Sequence, residues 1–152
     1  MLGTIFYAIG CFAAAAVLSS LVVMMKPMTK RDDHKPWKTF IFMFILCLAA
    51  PFGYCEALTK VYGKPMEPAI AHAYENSGIN GAMRYFRITA YHKDTAKALV
   101  VGSDKQDWGG QDSPIISVTL SKKEDGSWKA ESFKVLSSGR LNQDSFIFPP
   151  YY

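Results

Sequence analysis

Residues 2–25, LGTIFYAIGCFAAAAVLSSLVVMM, form a run of 24 residues without a charged side chain. As an α-helix, this run is roughly 36 Å long, enough to cross the ~30 Å hydrocarbon core of a bilayer with some tilt. A secretory signal peptide is the alternative, but the run has no basic leader and is longer than the apolar part of such signals. The run therefore predicts a first transmembrane helix over residues 1–25.

Residues 39–55, TFIFMFILCLAAPFGYC, form a second apolar run of 17 residues. Its helical length of roughly 26 Å is close to the thickness of the hydrocarbon core. Translation from Met28 followed by cleavage near Cys55 is an open alternative, because a basic lead-in precedes the run. Pro51 lies near the far end, where it is tolerated if a neighbouring helix or water satisfies the carbonyl that proline frees. The run predicts a second transmembrane helix over residues 39–55.

The loop between the two runs, residues 26–38, carries most of the net charge of the chain. Five basic residues minus two acidic residues give +3 there, against +4 for the whole chain. The basic residues are Lys26, Lys30, Arg31, Lys35 and Lys38. Because Lys and Arg are retained on the cytoplasmic side, the loop sets the topology and residues 56–152 lie outside. The sequence thus predicts a multi-pass inner (plasma) membrane protein whose C-terminal domain lies in the periplasm, or in the mitochondrial intermembrane space.

The pattern after the second run predicts an α+β domain over residues 56–139. Helical segments at Glu56–Gly63 and Glu67–Asn76 are followed by a change of hydrophobic period from about 3.6 to 2. Four alternating segments separated by turn residues then predict an antiparallel meander with helices on one face. With twelve basic and eleven acidic residues in 56–152, a nucleic-acid surface is not expected.

Two details of the strands can be predicted from the phase of their side chains. In the first strand, one face holds Phe86, Ile88 and Ala90, and the other holds Tyr85, Arg87, Thr89 and Tyr91. In the last strand, the inward phase changes between Ala130 and Phe133, so a β-bulge near Glu131-Ser132 is expected. The hairpin before that strand is marked by the turn sequence Glu124-Asp-Gly-Ser127.

The domain resembles a known family over residues 56–141. The segments ALTKVYGKPMEP, GAMRYFRITAYHKDTAKALVV and GSWKAESFKVLSSGRL look like the cytochrome-oxidase assembly-factor family, which includes a relative in the mitochondrial inner-membrane translocase. The matching turns are Gly63-Lys64-Pro65 and Gly126-Ser127-Trp128. The resemblance implies a non-catalytic domain that docks on a respiratory complex during or after its assembly.

The sequence offers little for catalysis or cofactor binding. His72 and Glu75, three residues apart on a helix, could share a metal, but a zinc site needs a third protein ligand. Cys11 and Cys47 lie in the apolar runs and Cys55 follows at the outer interface, so no disulfide framework is expected. Neither a phosphate loop nor a nucleophile motif is present. We therefore expect no enzyme activity, no metal and no cofactor.

Two sets of residues are candidates for protein–protein contact. Small residues at a spacing of four let helix backbones approach closely in a membrane, and the first run carries five of them: Gly10, Cys11, Ala14, Ala15 and Ser19. Aromatic residues dominate interface energetics, and the tail (residues 140–152) and one loop supply five: Trp108, Phe146, Phe148, Tyr151 and Tyr152. The expected partners are integral subunits of a membrane complex, together with the lipid bilayer.

The sequence as a whole favours a non-catalytic accessory or assembly subunit that docks on a large respiratory or photosynthetic complex of the inner membrane. Cytochrome oxidase or a respiratory supercomplex is the expected kind. The alternative is a tethered periplasmic module that binds a small ligand or lipid on its sheet. The state of the face that bears Tyr85 and Arg87, open or covered, discriminates between the two. An envelope anchor unrelated to energy conversion is a further possibility.

Overall fold

A computed structural model describes residues 2–25, 35–79, 81–105, 110–139, 143–145 and 147. It has an α+β fold with two long apolar helices at the N-terminus, a short third helix and an antiparallel sheet of four long strands, to which two strands of two residues each are added. The elements are α1 (Leu2–Met24), α2 (Pro36–Tyr62), α3 (Glu67–Glu75), β1 (Ala82–His92), β2 (Thr95–Lys105), β3 (Gln111–Asp112), β4 (Ile115–Lys122), β5 (Trp128–Ser138) and β6 (Gln143–Asp144).

The chain divides into two compact units. The first contains residues up to Gly53 together with Ile147, and the second extends from Tyr54 to Phe146, somewhat beyond the predicted bounds of 56–139. In the first unit, α1 and the apolar part of α2 form a helical hairpin. Both helices are long and apolar enough to cross a membrane, judged by length and composition.

Helix α2 differs from the two helices predicted for its residues. The sequence predicted a membrane helix over 39–55 and a separate segment over Glu56–Gly63, but one helix runs from Pro36 to Tyr62 and contains Pro51. The helix ends just before Gly63, whose N–H donates to the Thr59 carbonyl at 2.8 Å. A Cβ at position 63 would overlap that carbonyl, which explains why glycine occupies this position.

The second unit consists of the sheet and the helix α3 that covers its inner face. The strand order is β1-β2-β4-β5-β6, with β3 paired to β2. All these pairs are antiparallel. Pro68 lies in the first turn of α3, and Gly78, with φ of 75°, follows its end. The core joins α3 to the inner sides of β1, β2 and β4 through Met66, Ile70, Ala73, Tyr74, Ile79, Ile88, Ala96, Ala98, Val100, Ile116, Val118 and Leu120.

β-Bulges set which side chains reach the core. The bulge predicted in β5 is confirmed: Leu120 pairs with Ala130 and Thr119 with Ser132, so Glu131 is the extra residue. Trp128 and Val135 therefore both pack against the core despite the change of phase in the sequence.

The phase predicted for the end of β1 is wrong. Ile88 pairs with Ala98 and Ala90 with Lys97, so a bulge at Thr89 reverses the phase beyond it. Tyr91 consequently lies on the inner face, paired with Ala96, rather than beside Arg87. Ala90 moves to the outer face for the same reason.

Candidate functional site

A contact between α1 and α2 compensates for the proline inside α2. Pro51 has no N–H to donate to the carbonyl of Cys47, four residues earlier, and its ring crowds that carbonyl. The Tyr7 hydroxyl, from α1, donates to the neighbouring Leu48 carbonyl at 2.7 Å and also lies 3.3 Å from the Cys47 carbonyl. The Cys11 thiol donates to the same Cys47 carbonyl at 3.6 Å. Helix α1 thus supplies donors at the point where α2 lacks one.

The rest of the hairpin contact is aromatic. Phe12 of α1 meets the rings of Phe40 and Phe44 edge-on, at centroid distances of 5.1 and 6.1 Å. Near the other end, the rings of Tyr7 and Phe52 meet at 6.3 Å and 84°. These edge-to-face pairs are favourable geometries for aromatic rings.

The five predicted helix-packing residues fall into two groups. Cys11 and Ala15 are buried, and Ser19 is half-buried with its hydroxyl bonded to the carbonyl three residues before it. Gly10 and Ala14 are exposed. Large apolar side chains such as Ile5, Phe6 and Ile9 are also more than half exposed.

In the second unit, the end of α2 forms a hydrogen bond with the free edge of β1. The Thr59 hydroxyl accepts the Ile88 N–H at 2.8 Å and donates to the Cys55 carbonyl at 2.7 Å. Edge strands need such protection because their unpaired N–H groups otherwise recruit other strands. Around this bond, Glu56 lies 3.8 Å from Arg87, and the Tyr62 ring stacks on Tyr91 with centroids 4.0 Å apart.

The outer face of the sheet, opposite α3, carries polar side chains together with the buried apolar residues Leu99, Val101 and Ile115. We define it by the residues that the strand register places on that side. They are Tyr85, Arg87, Ala90, His92, Thr95, Lys97, Leu99, Val101, Ile115, Ser117, Thr119, Ser121, Lys129, Ser132, Lys134 and Ser137. None of these side chains carries a carboxylate.

Basic residues flank a row of hydroxyls on this outer face. Ser117, Thr119 and Ser121 lie along β4 in the middle of the sheet. Lys97 on β2 pairs with Thr119, and Lys134 on β5 pairs with Ser117. Both lysines are exposed, and Lys129 adds a third exposed lysine further along β5.

Arg87 differs from these lysines because its charge is partly neutralised by Glu56. It is the least exposed of the four basic residues, at 29% for its side chain, and it lies 5.7 Å from the centre of the Tyr85 ring. The other acidic residue close to this face is the bulge residue Glu131, which is exposed. Glu67 and Glu75 are on α3, and Asp94, Glu124 and Asp125 are in turns.

Two buried polar atoms lie under α3, on the inner side of β2. Both the Tyr74 hydroxyl, which lies close to the Ser103 backbone, and the Asp104 Oδ1 atom are buried, and among the described residues the Asp104 Oδ1 atom has no hydrogen-bond partner. Burial raises the pKa of the Tyr74 phenol above its ordinary value, and the nearby Asp104 carboxylate acts in the same direction. The phenol lies over Gly102, where a Cβ would overlap it.

Several predicted residues lie outside the part of the chain that the structure describes. They are Lys26, Lys30, Arg31, Trp108, Phe146, Phe148, Tyr151 and Tyr152. Lys35 and Lys38 are described and exposed, with the Lys38 ammonium 5.8 Å from the Trp37 ring centre.

His72 and Glu75 do not form the core of a metal site among the described residues. No group of three or more His, Cys, Asp or Glu side chains is close enough to hold a metal there. The His72 ring is instead 3.1 Å from the side-chain nitrogen of Asn76. Cys11, Cys47 and Cys55 are free thiols.

The sequence analysis did not identify Tyr7 or Thr59, and only Tyr7 has a recognisable signal in the sequence. A proline inside an apolar span requires a donor from a neighbouring helix, and Tyr7 is the tyrosine of the first span. A threonine near the end of a helix that precedes a sheet has no comparable signature, because its partner is set only by the tertiary fold.

Comparison of the chain with protein-family models, with curated proteins and with solved structures gave no match.

Proposed function

We propose that this protein is a non-catalytic accessory or assembly subunit, anchored in the inner membrane by α1 and α2, that docks on a large respiratory or photosynthetic complex. The observation that carries the proposal is the apolar hairpin. Its residues Phe6, Ile9 and Val17 are about 60% exposed. Such a surface requires lipid or protein around it.

The hydrogen bonds of the hairpin also explain how a proline and four hydroxyl- or thiol-bearing residues are accommodated in its apolar helices. Polar groups in hydrocarbon are stable when they bond to one another. Tyr7 and Cys11 donate to carbonyls of α2, and Ser19 and Ser20 donate to the Ala16 carbonyl. The pairing therefore supports a membrane hairpin over an apolar helix pair of a soluble domain. The basic loop at 26–38 sets its topology, with the second unit on the periplasmic or intermembrane-space side.

The kind of partner follows from the resemblance over residues 56–141, which favours a respiratory complex such as cytochrome oxidase. Exposed Gly10 and Ala14 offer a place on α1 where a partner helix could approach closely. The aromatic tail would add contacts on the outer surface of the complex.

The test is co-purification from native membranes. The tagged full chain is extracted in mild detergent and sized, and the proteins that co-elute are identified by mass spectrometry. We expect stoichiometric elution with haem- or pigment-bearing subunits. Elution as a small single species from membranes that contain those complexes would contradict permanent membership.

A matched pair of variants tests the helix face. Ala14→Leu adds bulk beside Gly10, whereas Ala13→Leu makes the same change on a neighbouring exposed position. We expect Ala14→Leu to reduce the co-eluting partner and Ala13→Leu to leave it unchanged. Equal effects of the two variants would remove the helix face from the proposal.

The alternative is a tethered module that binds a small ligand or lipid. The outer face of the sheet is the observation that favours it, because Lys97, Lys129 and Lys134 are exposed there beside the half-buried hydroxyls of β4.

A further inference from the structure

We propose that Asp104 and Asp112 bind a divalent cation of the calcium type at the end of the sheet that lies under α3. The two carboxylates belong to β2 and β3, and the site lies entirely within the second unit. It is independent of the docking role proposed above. It departs from the sequence-based expectation of no metal, because only the sheet brings the two residues together.

The carboxylate of Asp104 is buried as deeply as a core residue. Asp104 is 2% exposed, and its Oδ1 atom has no hydrogen-bond partner. No lysine or arginine among the described residues forms an ion pair with it. Buried charges in proteins are paired or coordinate metals, because removing an isolated carboxylate from water is very costly. A cation is the partner that this environment favours.

A second carboxylate lies directly opposite Asp104. Asp112 of β3 pairs with Asp104 of β2, so the two side chains share one side of the ladder, with their Cα atoms ~4.5–5.5 Å apart. Like charges in this position repel each other and destabilise the strand pair. A shared cation reverses the sign of the interaction, because each carboxylate then faces a positive charge.

Backbone groups from two segments hold the Asp112 carboxylate in place. The Ser113 N–H donates to its Oδ1 atom at 2.8 Å, and the Gly139 N–H, just after β5, donates to its Oδ2 atom at 2.6 Å. A carboxylate has about four acceptor positions, so each oxygen keeps the capacity to bind a metal. The carboxylate is thus oriented by the fold itself.

The Tyr74 phenol reaches the same region from α3. Its hydroxyl is buried and lies over Gly102, two residues before Asp104 on β2 and therefore on the same side of the strand. Burial raises the pKa of this phenol and the Asp104 carboxylate adds to the rise, which indicates that the two groups are close together. The phenol places a neutral oxygen beside the carboxylates.

The types of ligand decide which metal fits. Carboxylate and hydroxyl oxygens suit calcium, magnesium and manganese, whereas zinc and copper prefer thiolate and imidazole. The described residues nowhere bring together three His, Cys, Asp or Glu side chains, so two carboxylates must suffice here. Calcium completes its shell with backbone carbonyls and water in a flexible geometry, whereas magnesium demands a near-ideal octahedron. We therefore assign calcium.

The first experiment locates the ion. Manganese accepts the same oxygen ligands as calcium, and it is paramagnetic, so it broadens the signals of nearby amides. It is titrated into the isotope-labelled full chain in a nonionic detergent, after treatment with a chelator. We expect broadening at Gly102, Ser113 and Gly139, and little at Trp128 or Asp94, at the opposite end of the sheet. Excess calcium should restore the broadened signals.

The second experiment measures stability with matched variants. Asp104→Asn and Asp112→Asn each remove one charge from the site, and Asp94→Asn removes one from an exposed turn. Calcium sites of extracellular modules have Kd values of about 10⁻⁴–10⁻³ M, so about 10 mM calcium should raise the ratio of folded to unfolded protein about 10- to 100-fold. For a unit of this size, the Tm should rise by at least about 5 °C.

The variants should separate by the sign of their effect. The rise in Tm with calcium should disappear in Asp104→Asn and Asp112→Asn and persist in Asp94→Asn. In chelator, Asp104→Asn should be at least as stable as the native chain, because the substitution removes the repulsion between the paired carboxylates. A residue with a purely structural role in the core would instead lose stability in both conditions.

Three results would overturn the proposal. Broadening at Asp94 equal to that at Gly139 would show only weak binding of manganese to exposed acidic turns. A calcium effect of equal size in the native chain and in Asp104→Asn would place the ion elsewhere. Stability that does not depend on calcium, together with no broadening at Gly102, would show that water rather than a cation satisfies Asp104. Because the detergent sample contains no partner complex, each result is independent of the co-purification test.

Discussion

The Tyr7 hydroxyl should stabilise the hairpin more strongly when Pro51 is present. We consider the variant Tyr7→Phe in two backgrounds, the native chain and Pro51→Ala. In the native chain, the hydroxyl bonds the Leu48 carbonyl at 2.7 Å and approaches the Cys47 carbonyl at 3.3 Å. With alanine at position 51, the backbone N–H of that residue becomes available to the Cys47 carbonyl.

The magnitude follows from the cost of losing an interhelical hydrogen bond in a membrane. Measured values average about 0.6 kcal/mol and reach about 1.7 kcal/mol. A carbonyl without its helical donor belongs at the upper end, so we expect Tyr7→Phe to cost about 1–2 kcal/mol in the native chain. In the Pro51→Ala background the Cys47 carbonyl regains its helical donor while the Leu48 bond remains, so the cost should fall to about 0.6 kcal/mol and the coupling between the two positions is on the order of 0.5–1 kcal/mol.

The assay is SDS-driven unfolding of the full chain in mixed detergent micelles, followed by circular dichroism. Isotope-edited infrared spectroscopy of a labelled Leu48 carbonyl provides a local readout, because loss of a hydrogen bond shifts its stretching frequency upward. Tyr54→Phe serves as the control, since Tyr54 is an exposed tyrosine on α2. An equal cost of Tyr7→Phe in both backgrounds, or an unchanged carbonyl frequency, would refute the reasoning.

Three further predictions concern the second unit, each checked on the full chain. Thr59→Val should lower the free energy of unfolding by about 1–3 kcal/mol, because it leaves a β1 amide without an acceptor, and Thr59→Ser should lower it less. Thermal unfolding should show a fall in Tm of about 4–8 °C per kcal/mol. Equal effects of the two variants would contradict the hydrogen bond. Gly102→Ala should lower the free energy of unfolding by about 1–3 kcal/mol, because the added methyl group overlaps the Tyr74 phenol. In a double-mutant cycle, Tyr74→Phe should relieve only part of this loss. Strictly additive effects of the two substitutions on stability would argue against the overlap. The Ser127 hydroxyl, followed by its backbone N–H, lowers the pKa of Asp125, so this carboxylate stabilises the fold above its unfolded pKa and the contribution is lost as pH falls through the folded pKa. Ser127→Ala should raise that pKa toward its ordinary value in an NMR titration, and an unchanged titration would exclude the hydroxyl as the cause.

Local pattern carried much of the fold. The absence of charge over residues 2–25 and 39–55 indicated two long helices, and the change from a period of 3.6 to 2 indicated where helix gives way to strand. These features depend on the side chains of neighbouring residues, so they can be recognised without the fold. The bulge in β5 was also predictable, because Trp128 before Glu131 and Val135 after it are apolar and must reach one core.

Tertiary contacts decided what the pattern left open. The bulge at Thr89 moves Tyr91 to the inner face, where its ring stacks on Tyr62 of α2. The alternation of side chains in β1 does not predict this contact, because the ring that stacks on Tyr91 belongs to α2.

The same distinction between sequence and tertiary structure applies to the candidate surfaces. The sequence shows where the basic residues lie along the chain. Lys97 and Lys134, however, come from strands that are separated by β4, and only the strand register places them on one face. The donor for the carbonyl freed by Pro51 likewise comes from Tyr7, about forty residues away. The sequence by itself determined the helices, the strands and the charge of this protein, because these depend on neighbours along the chain. The tertiary structure alone decided which side chains share a face or complete a hydrogen bond, because those partners are brought together only by folding.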